Sequence, residues 1–222
     1  MTIFLIIPAF NEAPVIRQVL EELLPLGCFI ILVDDGSTDD TARIAESFPI
    51  VVIRHLFNIG QGAALETGME AARRLSADFV VHFDADGQHD SREIAALLKP
   101  LIKGDCDIVF GSRFLENKRP GLTLLKRMIL HAGRWINYGL TGILLTDAHN
   151  GFRAMNRFAL DKIHFTQPGM AHATEILTCV KKYSLRYMEL PVHVRYTAYS
   201  KKKGQHILDS VNILFHLLFK KN

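Results

Sequence analysis

Residues 29–41 read FIILVDDGSTDDT, in which an apolar run ends at two acidic residues, a glycine and several small polar residues. An apolar run of this length, bounded by turn-forming residues, is typical of a buried β-strand. The same arrangement recurs at residues 79–90, FVVHFDADGQHD. We predict strands at residues 3–7, 29–33, 50–53, 79–83 and 108–110. We predict helices in the amphipathic stretches between them, at residues 14–24, 39–47, 62–75 and 91–102.

This alternation of strands and helices predicts an α/β fold, with one domain built on a mostly parallel central sheet with flanking helices. Ligands of such sheets bind beyond the carboxyl ends of the strands. The domain is predicted to span residues 1–205. Residues 206–222 are predicted to form a C-terminal amphipathic helix that packs on the domain, on a partner such as a second copy in a homodimer, or on a membrane surface.

Composition excludes several classes of protein. The chain has 222 residues and a net charge of +3, which is too small to indicate a nucleic-acid partner. Its three cysteines are far apart and form no CxxC pair, which favours a reducing compartment over a disulfide framework. The N-terminus lacks the basic region of a signal peptide, and no run of about 18 apolar residues is present. We expect a cytoplasmic protein with peripheral membrane contact at most.

The acidic residues at the predicted strand ends are candidate ligand-binding residues. Asp34 and Asp35 follow the second strand, and helix capping by Ser37 and Thr38 does not explain two adjacent carboxylates there. A ligand with hydrogen-bond donors, such as a base N–H or ribose hydroxyls, would use them. Residues 58–64, NIGQGAA, place glycines before a helix, where an anion is favoured.

A second acidic pair follows the fourth strand. Asp84 and Asp86 point to the same side of an extended chain because side chains alternate along a strand. Together with the carbonyl of Gln88 they offer the hard oxygen ligands that suit Mg²⁺ or Mn²⁺ shared with a diphosphate. We interpret His89 as a loop or capping residue rather than a ligand, and we predict a metal site of Asp84, Asp86 and Gln88.

Four motifs in this order resemble the family 2 glycosyltransferases of GT-A (Rossmann-like) fold: PAFNE (8–12), DDGSTDDT (34–41), NIGQGAA (58–64) and DADGQHD (84–90). GSRF (111–114) and DAHNGFR (147–153) are similar to the polyprenyl-phosphate sugar transferases, the dolichyl-phosphate mannose synthase group. The resemblance implies an inverting, metal-dependent transfer of a sugar from a UDP- or GDP-linked donor to a polyprenyl phosphate, in the synthesis of cell-envelope glycans or glycolipids.

The resemblance also implies roles for individual residues. The nucleoside would be held by Pro8, Phe10, Glu12, Val33 and Asp35. The metal and diphosphate would be held by Asp84, Ala85, Asp86 and Gln88. Arg195 and Lys201 correspond to a late basic loop over the nucleotide. Arg113 would face the phosphates or the acceptor. Apart from the resemblance, Arg127 and His131 lie on one face of a predicted helix and are candidate acceptor-binding residues. Gln61 stands where the family often has Lys.

The acceptor leaves two readings open. A phosphate acceptor is already an anion, whereas a hydroxyl acceptor needs a general base, for which Glu175 is the candidate. The catalytic residues are therefore predicted to be Asp86, Arg113 and Glu175, and Glu175 is dispensable if the acceptor is a phosphate. Two other classes, a sugar-phosphate nucleotidyltransferase and a non-catalytic nucleotide-sugar-binding subunit, fit PAFNE and the intact DADGQ motif less well.

Overall fold

The computed structural model of the protein describes residues 1–115, 138–139, 142–148, 150–169 and 171–195. Its strands and helices alternate along the first half of the chain. The strands are β1 (Ile3–Ala9), β2 (Phe29–Asp34), β3 (Val51–Arg54), β4 (Phe79–His82), β5 (Ile108–Ser112), β6 (Arg153–Asn156) and β7 (Tyr187–Pro191). The α-helices are α1 (Ile16–Leu23), α2 (Thr41–Ala45), α3 (Gln61–Arg74), α4 (Ile94–Lys103), α5 (Arg157–Lys162) and α6 (His172–Lys182).

The strands form one seven-stranded sheet in the order β3-β2-β1-β4-β6-β5-β7. Strand β6 is antiparallel to both of its neighbours, and all other pairs are parallel. Because β6 reverses direction between β4 and β5, those two strands still point the same way. The carboxyl ends of β1, β2, β3, β4, β5 and β7 therefore lie at one edge, and the predicted mostly parallel α/β sheet is confirmed.

Each face of the sheet buries its own apolar cluster, as expected for a sheet covered by helices on both sides. Phe4 and Ile6 of β1 point to the face covered by α3, α5 and α6. Leu5 and Ile7 point to the other face, which α1 and α4 cover. Because helices cover both faces, a ligand can reach the sheet only at the loops that follow or precede the strands. In α/β sheets of this kind the ligand binds at the carboxyl ends of the strands.

Five predicted strands and four predicted helices are present, with shifted ends. Pro8 does not end β1 as expected, because the strand continues to Ala9 and Pro8 pairs with Val33. The Asp90 side chain accepts a hydrogen bond from the Arg92 N–H and so caps a 3₁₀ turn, Ser91–Glu93, that leads into α4. The domain boundary at residue 205 and the tail 206–222 lie outside the described residues. Among the residues that the structure describes, no helix is long and apolar enough to cross a membrane.

Candidate active site

The loops after β1 and β2 are tied together by polar contacts. The Asn11 N–H donates to Ser37 Oγ at 2.9 Å, and the Thr38 N–H donates to Asn11 Oδ1 at 2.9 Å. The Glu12 N–H donates to Thr41 Oγ1 at 2.7 Å. Ser37 and Thr38 were expected to cap α2, and this is wrong: they hold the neighbouring loop instead. The two strand ends therefore behave as one rigid unit.

Asp35 is almost completely buried in this unit, and protein groups bind its carboxylate. Oδ1 lies 2.7 Å from His55 Nδ1 and accepts the Ile59 N–H at 3.0 Å. Oδ2 accepts the Gly60 N–H at 2.7 Å. The Asp35 N–H in turn donates to Ala9 O at 2.8 Å. Asp35 thus links the ends of β1, β2 and β3.

Asp34, which precedes Asp35 in the sequence, forms an ion pair with Arg54. Its carboxylate is 3.4 Å from Arg54 Nε, and its Oδ1 accepts the Ser37 N–H at 3.4 Å. The side chain is fully buried while Arg54 is half exposed. The negative charge of Asp34 is therefore compensated from within the protein.

Asp84, after β4, is held from both sides. Gln61 Nε2 donates to Asp84 Oδ1 at 3.1 Å, and His89 Nε2 lies 2.9 Å from Asp84 Oδ2. Gly151 packs so closely that any side chain there would collide with the Asp84 carboxylate. Burial alone would raise the pKa of Asp84, but the neighbouring His89 and Arg153 outweigh it and hold the pKa below its usual value.

Asp86 has weaker compensation. Its carboxylate accepts the Gln88 N–H at 3.0 Å and the Gln88 side-chain amide at 2.7 Å, both from its own loop. Burial, followed by the negative charge of Asp84, raises the pKa of Asp86 to about 6. The charge of Asp86 is therefore less well compensated than that of Asp84.

This donor set fits a divalent cation. Two carboxylates that repel each other supply hard oxygen ligands and gain from a positive charge between them. Within the described ranges, no three His, Cys, Asp or Glu side chains converge on a metal position. The protein would thus leave coordination positions for phosphate oxygens and water, as Mg²⁺ commonly requires. Gln88 turns its amide nitrogen to Asp86, and its role as a ligand stays a prediction.

Arg113, after β5, is clamped by Asp147. Arg113 Nε donates to Asp147 Oδ2 at 2.6 Å and Nη2 donates to Oδ1 at 2.9 Å, a bidentate pair. The Asp147 carboxylate also accepts the main-chain N–H of Arg113 at 3.1 Å. Glu189 of β7 fixes this turn by accepting the Thr146 N–H and hydroxyl, each at 2.8 Å.

Behind Asp84 lies a buried basic layer that the sequence did not predict. Arg153 is fully buried and donates to Asn150 O at 2.9 Å, which supports the turn that carries Gly151. Burial lowers the pKa of Arg153 to about 10. Burial, followed by the charge of Arg153, lowers the pKa of His82 to about 3 and that of His172 to about 4. Both histidines are therefore neutral near pH 7.

Two predicted residues have partners that point to structural roles. Arg195 lies 2.9 Å from Glu22 and 3.0 Å from Asp90, and its N–H donates to Gln88 O at 2.8 Å. Glu175 accepts the N–H groups of Thr166 and Gln167, at 2.9 and 3.1 Å, with both carboxylate oxygens in use. Donor binding by Arg195 and catalysis by Glu175 stay predictions.

The segment that Glu175 holds also covers the start of α3. The Ala63 N–H donates to Pro168 O at 3.1 Å. Gly60 and Gly62 lack side chains where the backbone of residues 167–169 lies against them. The two glycines therefore allow close packing of the backbone. The start of α3 was expected to favour an anion, but the Pro168 carbonyl lies there.

The other predicted donor residues lie at the same edge. Glu12 is buried, and Phe10 is partly exposed. Val33 and Ala85 have buried side chains, so only their main chains could reach a donor. Contacts from these residues and Pro8 stay predictions. Arg127, His131 and Lys201 lie outside the described residues.

Sequence reasoning missed His55, which contacts Asp35, and the supporting residues Arg153 and Glu189. A signal existed for His55, since it directly follows β3 and so belongs to the same sheet edge. Arg153 and Glu189 act through partners that are distant in sequence or through main-chain groups. Nothing in their local sequence marks them.

Known proteins match this chain in sequence along almost its whole length. The chain is 34% identical to an uncharacterized protein of Methanocaldococcus jannaschii over 99% of this chain and 92% of that protein. It is 33% identical to a UDP-N-acetylglucosamine–dolichyl-phosphate N-acetylglucosaminyltransferase of Methanococcus voltae, over 99% of this chain and 96% of that protein.

The fold also matches a solved enzyme structure. Glucosyl-3-phosphoglycerate synthase of Mycobacterium tuberculosis, in complex with Mn²⁺, UDP and glucosyl-3-phosphoglycerate, aligns with a TM-score of 0.66 over 95% of this chain and 75% of that chain. At 24% identity this likeness concerns the fold alone. Residues 4–164 match the family described as Glycosyl transferase family 2. The chain therefore belongs to glycosyl transferase family 2, and the nucleotidyltransferase alternative is wrong.

Proposed function

We propose that the protein transfers a sugar, with inversion, from a UDP-linked donor to a polyprenyl phosphate. The Methanococcus voltae relative supports this choice, because its name specifies a UDP-sugar donor and a dolichyl-phosphate acceptor and the match covers 96% of its length. The choice of a phosphate acceptor rests on the hydrogen bonds of Glu175. Both of its oxygens brace residues 166–167, so the candidate base is engaged in structure. An acceptor that is already an anion needs no base.

The donor would lie over the ends of β1, β2 and β4. Asp35 and the neighbouring Phe10 would bind the base, with Pro8, Glu12 and Val33 forming the surrounding wall. Asp84, Asp86 and Gln88 would hold Mg²⁺ or Mn²⁺, which when bound supplies a Lewis acid for the departing nucleoside diphosphate. Gln61 and His89 keep the Asp84 carboxylate in one orientation, and Asp86 contributes the less compensated charge.

The acceptor phosphate would approach from the side of β5. Arg113, oriented by Asp147, would bind this phosphate, and Arg127 and His131 would add further contacts. A phosphate oxygen attacks the anomeric carbon on the face opposite the leaving group. The new carbon–oxygen bond forms as the bond to the β-phosphate breaks, and the electron pair leaves with UDP. Attack from the opposite face gives inversion.

The same assignment suggests where the protein works. The three cysteines are free, which is consistent with a reducing compartment. A polyprenyl phosphate stays in the bilayer, so the enzyme would act as a peripheral protein at the cytoplasmic face of a membrane. The tail 206–222 would provide membrane contact or a dimer interface.

A transfer assay with matched acceptors tests this proposal. Purified protein would be incubated with UDP-N-acetylglucosamine, UDP-glucose or GDP-mannose, with Mn²⁺ or Mg²⁺, and with undecaprenyl phosphate or undecaprenol. Mass spectrometry should detect a sugar on undecaprenyl phosphate, from a UDP-linked donor and not after chelation. Transfer to undecaprenol instead, or equal transfer in excess chelator, would overturn the proposal.

A further inference from the structure

His55 connects the loop after β2 with helix α3. Its Nδ1 lies 2.7 Å from Asp35 Oδ1, and its Nε2 lies 3.0 Å from Thr67 Oγ1 on α3. A carboxylate only accepts hydrogen bonds, so in this pair Nδ1 carries the proton and donates it. When the ring is neutral, Nε2 then accepts from the Thr67 hydroxyl. The imidazole ring is thereby fixed at both nitrogens, with its side chain only 10% exposed.

The contacts of Asp35 determine what a ligand can still find there. A carboxylate offers about four lone-pair positions. His55 and the Ile59 N–H use those of Oδ1, and the Gly60 N–H uses one on Oδ2. Within the described part of the chain no further donor contacts this carboxylate, which leaves one acceptor position on Oδ2.

We infer that His55 is a specificity-determining residue, which restricts Asp35 to a single acceptor position and so selects a base with one N–H on its recognition edge. Uracil presents N3–H between two carbonyls and matches a single acceptor. Cytosine presents a bare N3 in the same pose, which would face the carboxylate lone pair. Guanine presents two adjacent donors, N1–H and the 2-amino group, and would leave one unmatched. This inference rests on the proposed function, in which Asp35 binds the donor base.

Without His55, the second position on Oδ1 would become available. Asp35 would then offer acceptors on both oxygens and could accept from the cytosine amino group or from both guanine donors. Losing the His55 contact should therefore weaken discrimination between bases, beyond any general loss of affinity. A role of His55 in stability alone would weaken all nucleotides equally.

Two conservative variants separate the two nitrogens of His55. In His55→Asn the side-chain amide can occupy the position of Nδ1 and still donate to Asp35. In His55→Gln the amide reaches instead toward the position of Nε2 and Thr67. His55→Phe removes both contacts with similar ring volume. His164→Asn is a matched control, because His164 is half exposed and contacts Glu66 rather than the β2 loop.

Calorimetric titrations of the full chain with UDP, CDP and GDP in Mg²⁺ test the inference. Wild type, His55→Asn and His164→Asn should prefer UDP. In His55→Phe and His55→Gln, the preference for UDP over CDP and GDP should fall about tenfold, because Asp35 gains an acceptor position that a second donor of cytosine or guanine can use. Thermal unfolding checks that the variants are folded.

The outcomes separate the inference from the proposed function. An unchanged ratio of UDP to CDP affinity in His55→Phe, or equal losses for all three nucleotides, would overturn the inference while leaving the enzyme assignment standing. A wild-type protein that transfers the sugar of a UDP-linked donor but prefers CDP or GDP in the titrations would do the same. A wild-type protein that binds none of the three nucleotides would overturn both.

Discussion

Two pairs of aspartates end the strands that flank β1, and their surroundings differ. Asp34 and Asp35, after β2, are compensated by Arg54, by His55 and by backbone N–H groups of the next loop. Asp84 and Asp86, after β4, repel each other, and the pKa of Asp86 is raised to about 6 by burial and by Asp84. The β2 pair organises the loops, whereas the β4 pair retains the charge that a metal ion would neutralise.

The difference teaches that an acidic motif at a strand end has no fixed meaning. Both pairs follow apolar strands and precede a glycine. Their roles diverge because the loop after β3 folds back onto Asp35, while Asp86 contacts its own loop.

Removing the less compensated charge of the β4 pair should strongly reduce turnover. Asp86→Ala is expected to lower the metal-dependent rate of sugar transfer about 10³-fold, because a metal that loses a carboxylate ligand no longer stabilises the leaving diphosphate. The rate would be measured at limiting Mn²⁺, with circular dichroism as the check on folding. Wild-type activity at limiting Mn²⁺ would refute the assignment of Asp86.

Removing a compensated charge should instead damage the fold. Asp35→Asn is expected to lower the free energy of unfolding by about 2 kcal/mol, because the amide cannot accept all the donors that the carboxylate accepts in a buried site. Urea denaturation at pH 7.5 would measure the change. A variant as stable as wild type would mean that Asp35 does not hold the loops after β2 and β3.

The raised pKa of Asp86 should make the stability of the protein depend on pH. Because the folded pKa of Asp86 is about 6, above its usual value, the folded state binds this proton more tightly than the unfolded state. Its contribution to stability is therefore lost as pH rises from about 4 to about 6. Without metal, Asp86→Asn should be more stable than wild type by about 1 kcal/mol at pH 7.5 and equal to it near pH 4. A variant that is less stable at pH 7.5 would contradict this.

The smallest change in the rate of sugar transfer is expected at a third carboxylate, Glu175. Glu175 resembles Asp35 in that protein donors occupy both of its oxygens. Glu175→Gln keeps one acceptor oxygen, so we expect transfer to polyprenyl phosphate within about threefold of wild type, since a lost general base would cost at least about 10²-fold. Steady-state rates measure this. A loss of 10²-fold or more, with the fold intact, would favour a hydroxyl acceptor.

The sequence predicted the part of the molecule that depends on local pattern. Alternating apolar runs placed five strands and the edge that holds Asp35, Asp84 and Asp86. The antiparallel insertion of β6 between β4 and β5 could not be predicted, because it depends on pairing between distant segments. Arg195 pairs with Glu22, which is 173 residues away in the sequence. Asp147 pairs with Arg113, which is 34 residues away. Such partners are set by tertiary packing.

We expect the β4 pair, and not the β2 pair, to hold the metal ion. Electron paramagnetic resonance of Mn²⁺ titrated into the full chain without nucleotide measures this directly. We predict one bound Mn²⁺ in wild type and in Asp35→Asn, and its loss in Asp86→Ala. Equal Mn²⁺ binding by wild type and Asp86→Ala, or its loss only in Asp35→Asn, would contradict the account.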